Sequence, residues 1–78
     1  MDKKIMDSII ERQKDKIRGL NEASEELGLQ ERFLRRKILS QPKYENALGM
    51  LQKQKNDMPK KIKFEEDYLA FLEEIKHE

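Results

Sequence analysis

The sequence of 78 residues contains no cysteine, valine, threonine or tryptophan. The absence of cysteine excludes disulfide bonds, a thiolate nucleophile and cysteine-based zinc fingers. Because valine and threonine are common strand residues, their absence from a chain rich in Leu, Ile, Glu, Lys and Gln predicts an all-α fold. No run of about 18 apolar residues is present, so no membrane span is expected. The first residues never become an apolar signal-peptide core, and we expect a cytoplasmic protein.

Catalytic chemistry is also sparse. The single histidine, His77, stands near the end of the chain, where it has only Glu73 one turn away as a second metal ligand. The serines have no histidine near them, and three scattered glycines cannot form a phosphate-binding loop. The chain is too short to enclose a substrate cavity and keep a core. We therefore expect no enzyme, no cofactor, no metal site and no small-molecule substrate.

Charge is abundant and unevenly distributed, with 42% of the residues charged and 36% apolar. Residues 1–31 carry a net charge of −2, residues 32–63 of +8, and residues 64–78 of −5. A basic block between acidic ends is typical of a polyanion-binding surface. It also arises when a solvated basic face pairs with acidic ends. A chain of this size gains little from its own core, so we expect a partner and, most simply, a homodimer.

Apolar spacing and helix-ending residues predict a small bundle of four to five short helices. Gly19 and Asn21 interrupt the first helix, Gly28 ends the second, and Pro42 begins the fourth. Met58-Pro59-Lys60-Lys61 is the clearest break. The predicted organisation is a helical body over residues 1–57, a linker over 58–63 and an amphipathic helix over 64–78. The apolar face of that last helix comprises Phe64, Tyr68, Phe71, Leu72 and Ile75.

Residues 21–39 (NEASEELGLQERFLRRKIL) have the shape of a helix-turn-helix. Small residues would let two helices approach, Gly28 would supply the turn, and Leu34 and Ile38 would pack the second helix back. This stretch resembles the helix-turn-helix of the factor-for-inversion-stimulation family, in which a leucine, three basic residues and another leucine follow in order. Leu34, Arg35-Arg36-Lys37 and Ile38 match that order, whereas Glu31 and Phe33 depart from it.

The same residues also fit a plain helical hairpin. If the chain stays helical through Gly19-Leu20-Asn21, residues from Ile10 to Leu27 follow the alternating four- and three-residue spacing of a coiled-coil seam. Gly28 would then end a helix of about 25 residues, and the basic residues would be solvated.

Two functions of different classes follow. The first is a small DNA-binding regulator or accessory factor, whose helix 31–39 enters the major groove of double-stranded DNA. Its predicted nucleic-acid-binding residues are Gln30, Arg32, Arg35, Arg36, Lys37, Lys60 and Lys61. The alternative is a helical adaptor or inhibitor that binds another protein, with Arg35 and Arg36 on an acidic surface and the apolar C-terminal helix in a groove. A third interpretation is RNA or ribosome association through the same basic block.

Overall fold

The computed structural model describes residues 2–78, so Met1, the first residue of the predicted body, lies outside it. The described chain forms two long helices, α1 (Lys3–Ser40) and α2 (Glu45–Lys76), joined through a single 3₁₀ turn at Pro42–Tyr44. The helices run antiparallel as a hairpin measuring 58 × 16 × 12 Å. Its thickness is that of one helix, so the hairpin is a single layer.

Both ends of α1 are set by local chemistry. The Asp2 side chain caps the helix by accepting a hydrogen bond from the Lys4 backbone N–H at 2.9 Å. At the other end Gln41 leaves the helical conformation, and its N–H donates to the Lys37 carbonyl at 2.7 Å. Pro42, which follows, disfavours a helical Gln41. It begins the 3₁₀ turn, whereas the sequence predicted it at the start of the next α-helix, which begins at Glu45.

The all-α prediction is confirmed for residues 2–78, but the prediction of four to five short helices is wrong. α1 is helical through Gly19-Leu20-Asn21, as the hairpin interpretation requires, and it continues through Gly28 to Ser40. No glycine among the described residues has a positive φ. The turn predicted at Gly28 is therefore not formed, and residues 21–39 lie in one continuous helix rather than in a helix-turn-helix.

The break predicted at Met58-Pro59 is also absent. Residues 58–63, which the sequence indicated as a linker, lie inside α2, and Pro59 is accommodated within that helix. A proline inside a helix removes one backbone hydrogen bond and costs about 3 kcal/mol relative to alanine. Met58 and Ile62 flank Pro59 and are half-buried against α1, so tertiary contacts on both sides of the proline oppose that cost.

The two helices meet along a seam of alternating four- and three-residue spacings, as in a coiled coil. On α1 the seam positions, all buried or half-buried, are Met6, Ile10, Gln13, Ile17, Leu20, Ser24, Leu27, Glu31, Leu34 and Ile38. On α2 the buried or half-buried positions are Leu48, Leu51, Met58, Ile62, Glu65, Leu69 and Leu72, and the exposed Lys55 and Lys76 continue the same spacing. This spacing runs without interruption past Gly28 and Pro59, which explains why neither residue ends its helix.

The hydrophobic core of this hairpin is thin. Only Met6, Ile10, Leu51, Leu72 and the polar Gln13 are buried among the described residues, each with 3–7% of its surface still exposed. Met6, Ile10 and Leu72 form one cluster at the open end of the hairpin, where Ile9, Leu69 and Ile75 pack around them. Along most of the seam, the side chains of each helix pack against the other helix and remain partly exposed to solvent.

Candidate functional surfaces

Basic side chains are concentrated at the loop end of the hairpin, which we define as residues 32–55. This segment contains seven basic residues and one acidic residue, a net charge of +6. At the other end of the hairpin, the C-terminal residues 64–78 carry a net charge of −5. The antiparallel fold thus converts a charge pattern along the sequence into a charge separation along a rod 58 Å long.

Two of the predicted nucleic-acid-binding residues form hydrogen bonds with acidic residues one turn earlier on the exposed surface of α1. The Arg35 guanidinium donates to Glu31 Oε1 from Nε at 3.1 Å and from Nη2 at 3.0 Å. Gln30 donates to Glu26 at 3.5 Å. Since Arg35 already has a carboxylate partner, it is a poor candidate for a phosphate contact.

Arg32 and Arg36 are the better placed pair. Both are exposed, and neither forms an ion pair with the described part of the chain. They are four residues apart, so they project from neighbouring positions on the outward surface of α1. Lys37 turns away from them, and its Nζ lies 5.7 Å from the centre of the Phe33 ring.

The structure does not bring Lys60 and Lys61 to the loop end. Because α2 runs antiparallel to α1, these lysines lie near the middle of the hairpin. Lys61 shares a groove with Ala23 and Glu26, about 10 residues before Arg36 on α1, or roughly 15 Å along the axis. The predicted set of nucleic-acid-binding residues is therefore split into two separate basic surfaces.

Two polar layers interrupt the apolar seam. Gln13 donates from Nε2 to Glu65 Oε2 at 2.6 Å and to the Glu65 carbonyl at 3.0 Å, while Lys16 Nζ lies 2.9 Å from Glu65 Oε1. The hydrogen bond from Gln13 and, to a smaller extent, that from Lys16 hold the pKa of Glu65 below its usual value. Gln13 is 52 residues from Glu65, so the layer joins the two helices.

The second polar layer lies nearer the loop. Lys55 Nζ on α2 contacts Glu31 Oε2 on α1 at 2.9 Å, and Arg35 binds the other carboxylate oxygen. Hydrogen bonds from Lys55 and then Arg35 lower the pKa of Glu31. Glu31 departs from the family pattern of the proposed recognition helix, and its structural role here is to bind a lysine across the seam.

Exposed and half-buried apolar side chains gather on one broad side of the hairpin. Helical geometry places them roughly a third of a turn from the seam, on the same side of both helices. This surface, which we name the apolar face, comprises Ile5, Ile9, Phe33, Met50, Phe64, Tyr68, Phe71 and Ile75. Phe64 is 71% exposed and Phe71 53% exposed. The Tyr68 and Phe71 rings lie 6.4 Å apart, nearly parallel.

The predicted protein-interaction residues divide between core and surface. Leu72 is buried in the cluster with Met6 and Ile10, and Ile75 is half-buried beside it. Phe64, Tyr68 and Phe71 remain exposed on the apolar face. The sequence indicated the stripe itself. It did not show that Ile5, Phe33 and Met50 extend the same surface. Their positions relative to the seam residues place them there once the helices are known to be continuous.

The opposite broad side of the hairpin is charged. Lys76 Nζ contacts Asp7 Oδ1 at 2.6 Å there, and Asp7 holds the pKa of Lys76 above its usual value. A cleft on this side, lined by acidic residues, lysines and His77, measures about 450 Å³. In residues 2–78 no group of three His, Asp or Glu side chains is arranged to hold a metal ion.

No protein-family model matches the chain, and no curated protein or solved structure is significantly similar. Within residues 2–78, neither helix is long and apolar enough to cross a membrane.

Proposed function

We propose that this protein is a non-enzymatic binding protein whose loop end binds the phosphates of double-stranded DNA. The observation that carries the proposal is the set of basic side chains there that have no acidic partner in the described chain: Arg32, Arg36, Lys37, Lys43 and Lys53. Unpaired cations concentrated on a protruding helical end attract a polyanion without regard to base sequence. Without a turn at Gly28, groove entry by a recognition helix is not part of this proposal.

The proposal is tested by titrating a random-sequence DNA duplex at about 50 and about 200 mM salt. Binding through about six phosphates weakens by roughly a thousandfold across that range. In Arg32→Ala/Arg36→Ala we expect weaker binding and a salt dependence shallower by about two phosphate contacts. The matched control is Lys4→Ala/Arg12→Ala, which removes the same charge from exposed positions at the open end.

Absence of binding at the lower salt concentration contradicts the proposal. Equal losses in the two double variants would show that net charge, rather than the loop end, governs binding. Truncation after Met58 is not a useful test, because it removes more than half of α2 and with it the hairpin.

The second candidate is a helical adaptor that binds an amphipathic helix of another protein through the apolar face. The observation that favours it is the one-sided placement of exposed aromatic residues, which a monomer in water does not need. An accessible apolar face binds a hydrophobic dye such as anilinonaphthalene sulfonate. On this candidate the face is free in the isolated chain, so Phe64→Ser/Phe71→Ser reduces dye binding, and Leu29→Ser, which alters an exposed leucine off this face, leaves it unchanged.

A further inference from the structure

The hairpin exposes more surface than a folded chain of its mass should. Its accessible surface is 6406 Å², whereas a compact monomer of 9.4 kDa exposes about 5,000 Å². The excess of about 1,400 Å² is larger than the roughly 800 Å² that each partner contributes to a standard protein interface. Stable domains pack at least two layers of secondary structure around a core. This hairpin is a single layer, so a second layer is needed to cover its exposed apolar side chains.

The apolar face identifies which side that second layer covers. Six of the eight large apolar side chains that are strongly exposed lie on it: Ile5, Phe33, Met50, Phe64, Tyr68 and Phe71. A shallow groove of about 360 Å³ opens on the same side between Leu20 and Phe64. The opposite side carries the Lys76–Asp7 ion pair and no comparable aromatic cluster among the described residues.

The strongest stripe on this face reads the same in both directions. Its positions are Lys61, Phe64, Tyr68, Phe71 and Ile75 on α2, and Glu78 two residues beyond the end of that helix. The spacings between them are three, four, three, four and three, so the pattern is a palindrome centred between Leu69 and Ala70. Two copies of the stripe placed antiparallel therefore bring Phe64 against Ile75 and Tyr68 against Phe71, twice each. Such self-matching is the requirement of a two-fold interface.

Charge selects the antiparallel arrangement. In that arrangement the Lys61 ammonium of each copy faces the Glu78 carboxylate of the other at both ends of the stripe. In a parallel arrangement lysine would face lysine and glutamate would face glutamate, and like charges opposite one another are destabilising.

We propose that two copies of this chain pack their apolar faces antiparallel, with the palindromic stripe of α2 at the two-fold axis, to form a four-helix bundle. The interface does not depend on DNA binding, since Arg32 and Arg36 project from a different surface near the loop. The rest of the apolar face, around Phe33 and Met50, extends beyond the stripe toward the loop of each hairpin.

The first test is the mass of the full-length chain in solution, measured by sedimentation equilibrium over a range of concentrations. We expect a dimer, and we expect Tyr68→Glu/Phe71→Glu to be monomeric with an unchanged helical circular-dichroism signal, because both side chains are already exposed. The matched control is Leu29→Glu, a similarly exposed position off the apolar face. A monomeric parent chain at all concentrations overturns the proposal, and the adaptor candidate then stands alone for this face.

The second test determines the orientation. Since the chain has no cysteine, Lys61→Cys and Glu78→Cys chains can be mixed and oxidised. The antiparallel dimer predicts a disulfide between the two different variants and little between identical chains. A prevalence of Lys61→Cys pairs with themselves would show a parallel interface. In addition, Lys61→Glu should weaken the dimer, and Lys61→Glu/Glu78→Lys should restore it; a failure to restore it contradicts the predicted ion pairs.

Discussion

At the scale of single residues, the polar members of the seam define how the two helices align. Gln13 binds Glu65, and Glu31 binds Lys55, at two levels of an otherwise apolar contact. Sliding one helix by a turn would leave the buried Gln13 and the half-buried Glu31 and Glu65 without these partners. A single polar residue in a coiled-coil seam has the same effect on register. Because the apolar contacts repeat along both helices, they would allow several alignments. The two polar layers favour one of these alignments.

The two carboxylates make stability depend on pH. Since folding lowers the pKa of Glu31 and of Glu65, their contribution is complete above the ordinary glutamate pKa of about 4.3. It is lost as the pH falls through the lowered pKa of the folded state. We expect the urea midpoint to decrease below that pH, and to decrease less in Glu31→Gln/Glu65→Gln. The control is Glu22→Gln/Glu25→Gln, two exposed residues without an ion pair in the described chain. If both double variants follow the parent, the layers contribute nothing to acid sensitivity.

At the scale of secondary-structure elements, helix continuity is the main result. Gly19, Gly28 and Pro59 are residues that often end helices, yet all three lie inside α1 or α2. Around Gly28 the local sequence favours helix, with Glu26–Gln30 and Glu31–Arg35 side-chain pairs four residues apart. Each helix also gains contact with the other for every turn that it continues, and most helical stability in proteins comes from such packing.

A single substitution distinguishes the continuous helix from a turn. A Cβ at Gly28 would meet no atom within 4 Å, and its φ is not positive. We therefore expect Gly28→Ala to stabilise the protein by about 0.5–1 kcal/mol. That change raises the Tm by a few degrees, measured by circular dichroism. Gly19→Ala should change stability in the same direction. A loss of stability in Gly28→Ala alone would indicate the left-handed turn of a helix-turn-helix.

At the scale of the whole molecule, the hairpin is long, thin and electrically polar. A single layer with only five buried residues in the described chain has little core, and its basic loop end lies far from the acidic C-terminal part of α2. The thin core favours a partner of the same kind, which supplies a second layer.

Association of this kind makes thermal stability depend on concentration. If the second layer comes from another copy, dissociation accompanies unfolding and mass action raises the Tm with protein concentration. Raising the concentration about a hundredfold should raise the Tm of the parent chain by several degrees. Tyr68→Glu/Phe71→Glu should melt at one temperature throughout that range. A parent Tm that does not change with concentration contradicts a stabilising dimer.

Particular residues show how far sequence reasoning reaches. The alternating spacing from Ile10 to Leu27 predicted the seam, and Pro42 marked the connection between helices correctly. Gly28 and the Met58-Pro59 pair were misleading, because a glycine or proline indicates where a helix can end, whereas partners on the other helix decide whether it does. Among the candidate site residues, Arg32 and Arg36 remain unpaired as a phosphate contact requires. The Glu31 partner of Arg35 and the distance of Lys60 from the loop appear only in the folded chain.

Composition and apolar periodicity by themselves determined that this chain is all-α, that its helices are amphipathic and that its charge is segregated along its length. They do so because residue type and spacing act over one or two helical turns. Only the tertiary structure decided that the helices are two, that Leu72 is buried while Phe64 and Phe71 are exposed, and that the basic and acidic segments lie at opposite ends of one rod. Those outcomes depend on contacts between residues about 20 to 70 positions apart, which local spacing does not specify.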